Sequence, residues 1–203
     1  ASMRTNRYGE QFVHPTGKWR HALADEGSYF VAHNNTIDLA TTLAGHPAPV
    51  LVDADVTMTK PLIHLMMTAG ATTRAYLDYI DIEVATAGAN GTSDHWACQL
   101  DTGPSRYSSG TVETFTPVNT NMQSTASPQL VAKGGPFVCS AETANVRRLG
   151  NGTFKSTIEL TGDRYIFMFG EDPIPVNKIA AAATTYYNNL GPVILGSGDQ
   201  LLL

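Results

Sequence analysis

The chain has 203 residues and a formal net charge of -5, with 42% hydrophobic and 15% charged residues. A charged share so far below the average of about 25% suits one β-rich domain with a neutral, Thr-rich surface. No run of Lys or Arg exceeds the pair Arg147-Arg148, which excludes the clustered basic face of a nucleic-acid binder and disfavours an anionic membrane surface.

Residues 1–27 are polar and irregular, broken by Gly9, Pro15, Gly17 and Gly27. No period of 2 or 3.6 appears, so this stretch has no face of its own to bury and reads as an extended arm ahead of a β domain over 28–203. Its basic residues give it the opposite sign to the acidic whole, and its rings are of the size that anchors interfaces. The candidate partner-binding residues are therefore Arg4, Arg7, Tyr8, Phe12, Trp19 and Arg20. The first 25 residues hold no apolar signal core, which speaks against secretion by that route.

From Ser28 onward the strand signal dominates. Ser28–Val31 reads as a short strand, and Pro61–Met67 is apolar on both faces, as in a buried strand. Arg74–Ala85 alternates, with Ile80, Ile82 and Val84 on one side and Asp81 and Glu83 on the other. Asn90-Gly91 is a hairpin turn, and His95–Asp101 sets Trp96, Cys98 and Leu100 against His95, Ala97 and Gln99. Residues 102–110 read as a loop, 111–115 as a strand, and 116–135, rich in Asn, Ser, Thr and Pro, as a long surface loop. Pro136–Cys139 follows as a strand. Asn151-Gly152 reads as a turn, and Gly162-Asp163 as the link of a hairpin between 153–160 and 164–169. Residues 173–190 divide between helix and strand preference. The chain finishes on strand, turn, strand, and its last three leucines suggest a native chain that continues. The sum is an all-β chain, expected to be an antiparallel β-sandwich of jelly-roll type.

Candidate chemistry is sparse. Leu100-Asp101-Thr102-Gly103 spells the catalytic loop of an aspartic protease, but that chemistry needs two carboxylates about 3 Å apart sharing one proton. Only one Asp-Thr-Gly occurs, and Arg106 follows it closely. A turn cluster closing a strand explains the motif better. His95 and Cys98 have an odd separation and point to opposite faces of a strand, so they do not share a zinc ion. His64 reads as a hydrogen-bonded core histidine. Cys98 and Cys139 read as buried free thiols, and the sequons at Asn34, Asn90 and Asn151 as turn chemistry. The residues single out no catalytic group, no metal site and no cofactor. The chain is expected to be no enzyme, with a protease at Asp101-Thr102-Gly103 as a minor alternative.

Six short segments, in consistent order, carry a family resemblance: Lys60-Pro61-Leu62-Ile63, Tyr76-Leu77-Asp78-Tyr79-Ile80, Arg106-Tyr107-Ser108-Ser109-Gly110, Thr116-Pro117-Val118-Asn119-Thr120-Asn121-Met122, Gly191-Pro192-Val193-Ile194-Leu195 and Gly198-Asp199-Gln200-Leu201-Leu202-Leu203. In these the chain resembles the jelly-roll structural proteins of tailed-phage virions, which decorate or cement the capsid surface, often as trimers, or form parts of fibres and tail appendages. The resemblance implies a virion location on the capsid surface or an appendage. It also implies binding to the major capsid protein or to neighbouring virion subunits. A strand apolar on both faces, Pro61–Met67, adds the expectation of a homo-oligomer, a trimer above all, because its second face needs a cover.

Overall fold

The computed structural model describes residues 19–33, 59, 61–84, 95–110, 112–135, 137–153, 160–170 and 185–203. They are mostly β-strand, in several antiparallel sheets, with a single short helix among them. The chain divides into two compact units, one of residues 1–31 with 117–128, the other of residues 32–116 with 129–203.

In the first unit, Trp19–Asp25 forms a helix, α1, where the sequence reads as extended. Arg20, Ala22, Leu23 and Ala24 are good helix formers, and seven residues are too few for a periodic face to show. The helix stops at Gly27, whose φ of 70° lies in the left-handed region. Gly27 N donates to Ala24 O and Ser28 N to Leu23 O, both at 2.9 Å, so the last carbonyls are satisfied by a Schellman cap. A Cβ on Gly27 would stand 2.3 Å from Ser124 Oγ. Two short strands follow, β1 (Phe30–Val31) and β8 (Val118–Asn119), paired antiparallel. The turn after β8 holds the helix end. Asn119 Nδ2 donates to Gly27 O at 2.8 Å, Asn121 Nδ2 to Asp25 O at 3.1 Å, and Thr120 N to Tyr29 O at 3.0 Å. The Asn- and Thr-rich composition of this stretch is therefore the chemistry of a clamp on backbone carbonyls.

The second unit is built on a six-stranded sheet. Its strands are β2 (Ile63–Met67), β5 (His95–Thr102), β7 (Glu113–Phe115), β9 (Leu130–Gly134), β11 (Arg147–Thr153) and β15 (Asp199–Leu202), in the order β11-β5-β15-β2-β9-β7. All neighbours are antiparallel. Against one face lie the sheet β13-β12-β4, formed by Thr185–Leu190, Arg164–Phe169 and Tyr79–Glu83, and the pair β14 (Ile194–Leu195) and β3 (Ala75–Tyr76). The core between them holds Leu65, Met67, Cys98, Leu201, Phe167, Phe169 and Leu195. Burying side chains of this kind contributes roughly 1.5–3 kcal/mol each. Against the other face lies the pair β6 (Tyr107–Gly110) and β10 (Phe137–Cys139), over a small core of Phe137, Cys139 and Leu202.

Several local readings change. Residues 107–110, read as loop, are strand β6, and β12 has β13 and β4 as its neighbours where the sequence reads a hairpin with 153–160. The Arg74–Ala85 run is two strands, because the backbone switches sheets at its middle: Leu77 N donates to Val193 O and Asp78 O accepts from Phe169 N. Residues 130–134, read as part of a long loop, are β9, an interior strand of the large sheet. Asn151-Gly152 is strand, not turn: Gly152 sits opposite Trp96, and a Cβ there would stand 2.8 Å from the indole Nε1. The glycine makes room for a ring, and the sequon asparagine beside it is a ladder residue facing Ala97. Finally, β12 and β13 run parallel over their six-residue length, against the expectation of purely antiparallel sheets. A parallel pair needs a long crossover, and residues 171–184 between these strands lie outside the described residues.

The closing leucines are not left bare. Leu201, Leu202 and Leu203 are all buried, with Leu203 N donating to Ile63 O and Leu203 O accepting from Leu62 N and Ile63 N. On the second face of β2, His64 lies under the chain's own β10, with the His64 and Phe137 rings 6.2 Å apart, while Met66 on the same face is only partly buried.

Candidate functional site

Alternation along the central strands divides the large sheet's side chains. The face toward the main core is apolar. The other face carries Gln99 and Asp101 from β5, Gln200 from β15, His64 and Met66 from β2 and Lys133 from β9, as the cross-strand register requires. Four of these, His64, Gln99, Asp101 and Gln200, are 3% exposed or less, and so is Arg106, which enters from the turn before β6. Burying so many polar groups is costly unless each finds a partner.

Asp101 is held on several sides. Its carboxylate accepts from Thr143 N at 3.2 Å, from Thr143 Oγ1 and from Thr102 N at 2.8 Å, and it lies 3.6 Å from Arg106 Nη1. Arg106 donates through Nε and Nη2 to Ser140 O, at 3.1 and 2.8 Å. Gln99, with its amide turned as its neighbours demand, accepts from Arg106 Nη1 at 2.9 Å and donates to Glu142 Oε1 at 3.0 Å. Glu142 also meets the half-exposed Arg148 at 3.6 Å. Gln200 Oε1 accepts from Arg106 N at 3.1 Å and pairs with His64 Nε2 at 2.9 Å, while Gln200 Nε2 donates to Pro104 O at 3.2 Å. The cluster thus ties the turn 103–106 and the segment 140–143 down onto the sheet.

An aspartic protease would need a second carboxylate facing Asp101. A guanidinium stands there instead. Gly103 closes β5 with a φ of 125°, so Asp-Thr-Gly does end a strand, and its Asp serves as the anchor of a buried clamp. A shallow groove of about 530 Å³ runs beside it, lined by Thr102, Asn145, Arg147, Ile194 and Asp199 among others. Among the described residues no three His, Cys, Asp or Glu side chains are placed to hold a metal ion. The two cysteines are free and buried. Burial pushes the Cys98 thiol up to about 12 and that of Cys139 up to about 11, so neither is a poised nucleophile.

Of the arm residues singled out in the sequence, Arg4, Arg7, Tyr8 and Phe12 lie outside the described residues. Trp19 and Arg20 open α1, where Arg20 is half-buried. Sequence reasoning passed over a second surface, on the second unit. Tyr76 of β3 and Ile194 of β14 are direct cross-strand partners, 70% and 48% exposed, and Tyr79 at the start of β4 is 46% exposed. The sequence carried no clear signal for it, since Arg74–Ala85 reads as one strand and the two-residue strand Ala75–Tyr76 is set by its tertiary partners.

Comparison with known proteins gives no match: no family model, no curated protein and no solved structure aligns significantly with this chain.

Proposed function

We propose that the chain is a non-enzymatic structural protein of a virion, a decoration protein that binds and stabilises the surface of a capsid, with its β layers a variant of the jelly roll. The observation that carries this reading is the pairing of a closed polar interior with an open apolar edge. The buried ionisable groups Asp101 and Arg106 are spent on holding loops to the sheet. Among the large exposed side chains, Tyr76 and Ile194 are cross-strand partners and Tyr79 opens β4 three residues on, and rings of this kind are suited to anchoring an interface. The segments that carry the family resemblance fall in with this division. Arg106 and Gln200 sit in the clamp, and Tyr76, Tyr79 and Ile194 on the edge.

A trimer on the capsid, docked to the major capsid protein or to neighbouring virion subunits, rests on the resemblance and on the partly buried Met66 of the second face of β2. The alternative of a receptor-binding head on a fibre or tail is favoured by one feature, the turn after β8, which presents Met122 at 99% exposure. The test uses particles lacking the protein. They should lose resistance to heat and low salt, and regain it on addition of the wild-type chain but not of a folded Tyr76→Ser, Ile194→Ser variant. Equal stability with and without the protein overturns the reading.

A further inference from the structure

The mechanical role of the polar cluster leaves one group unaccounted for. His64 is 1% exposed, and its Nδ1 has no hydrogen-bond partner among the described residues. The other nitrogen, Nε2, meets Gln200 Oε1 at 2.9 Å. That oxygen can only accept, so Nε2 carries the hydrogen and Nδ1 is a bare lone pair. The ring is held between the sheet and the β6–β10 layer, with Phe137 of β10 6.2 Å away.

The charged and titratable neighbours are of mixed sign, and the nearest are cations. Lys133 of β9 is the cross-strand partner of His64, and its Nζ lies 4.1 Å above the ring of Tyr107 in β6. Arg106, before β6, shares Gln200 Oε1 with His64 through its backbone N. Cys139 of β10 is neutral, its thiol pushed up to about 11. The carboxylates of Asp101 and Glu142 are engaged by Arg106, Thr143, Gln99 and Arg148.

We propose that His64 is an acid-sensitive latch: a proton taken from solvent onto Nδ1 loosens the β6–β10 layer from the six-stranded sheet. The imidazolium would be desolvated, would hold a new N–H with no acceptor, and would face Lys133 and Arg106 as like charges. Each of these disfavours the charged ring while the layer is closed. Burial first, and then the charges of Lys133 and Arg106, hold the His64 pKa below its ordinary value, against the raising effect of Gln200. The sign follows. Above about pH 6.5 the ring is neutral whether the layer is open or closed, and pH has no effect. Below it, the open form binds the proton and the closed form does not, so opening gains with each step of acidification until the closed form titrates too.

The test uses the full chain. Nitrogen-15 spectra of the histidines should show His64 as the Nε2–H tautomer, titrating below an ordinary histidine. Hydrogen exchange, corrected for the intrinsic rate, should show protection at Phe137–Cys139 and Tyr107–Gly110 falling by up to about tenfold between pH 7.5 and 5.5. His64→Gln supplies the same N–H donor to Gln200 and cannot take the proton, so its protection should not change over that range. The proposal is overturned if His64 titrates at or above its ordinary value, if wild-type protection is the same at both pH values, or if His64→Gln loses protection equally. Should His64→Gln fail to fold, the wild-type titration and exchange decide alone. None of these readouts involves a particle, so they stand or fall separately from the capsid reading.

Discussion

Replacing Arg106 by Met tests the buried clamp where its energetics are largest. Methionine fills much of the volume of the arginine stem and removes the guanidinium. Two charge-assisted hydrogen bonds to Ser140 O are lost with it, at 3.1 and 2.8 Å; bonds of this kind contribute about 1.5–3 kcal/mol each. Asp101 keeps its Thr143 and Thr102 donors but loses the only cation its carboxylate is seen to face among the described residues. Breaking a buried pair from one side costs about 3–5 kcal/mol, because a charge is left in a dry site. Against a total stability of about 5–15 kcal/mol, that is a large part of the whole. Urea unfolding at neutral pH, followed by tryptophan fluorescence, should register it as a lower midpoint with little change in slope. Asp101→Asn should cost a similar amount. The double variant should cost less than the sum of the two by about 1–3 kcal/mol, since each change removes what the other leaves unpaired. Single costs below about 1 kcal/mol that simply add would refute the clamp.

Gly152→Ala should destabilise the protein by about 1–3 kcal/mol, because its Cβ would meet the Trp96 indole at 2.8 Å within a packed core; a lower melting temperature with a shifted Trp96 emission checks it, and an unchanged melting temperature would show that the ring moves freely. The native chain should leave both thiols unlabelled by iodoacetamide at pH 8 and label both in denaturant, since Cys98 and Cys139 are buried with pKa values of about 12 and 11; rapid labelling of the native protein, read by mass, would contradict the packing.

The strands with simple rules were legible in the sequence. Pro61–Met67 reads as buried because both faces are apolar, and its strand, Ile63–Met67, lies inside the large sheet. The alternation of Trp96, Cys98 and Leu100 against Ala97 and Gln99 gave the two faces of β5 correctly, and hence where the polar cluster would lie. Strand β9 was hidden because Leu130–Ala132 follows a long polar stretch that belongs to the other unit. Asn151-Gly152 misled because the same dipeptide serves a turn or makes room for a ring, and only the tertiary partner Trp96 decides. The clamp itself was out of reach. Local pattern placed Arg106 near Asp101, but His64 and Gln200 are 136 positions apart, and nothing local announces that they share a bond. The parallel pairing of Arg164–Phe169 with Thr185–Leu190 likewise depends on a crossover that strand periodicity does not record.

The central claim is that the chain is a surface component of a capsid. Quantitative mass spectrometry of purified particles measures it most directly, by the ratio of this chain to the major capsid protein. A decoration protein should be present in numbers comparable to the shell subunits themselves, and should leave under conditions that spare the shell. A ratio corresponding to a few copies at one vertex would place the chain on a fibre or tail, and its absence from washed, intact particles would contradict the account outright.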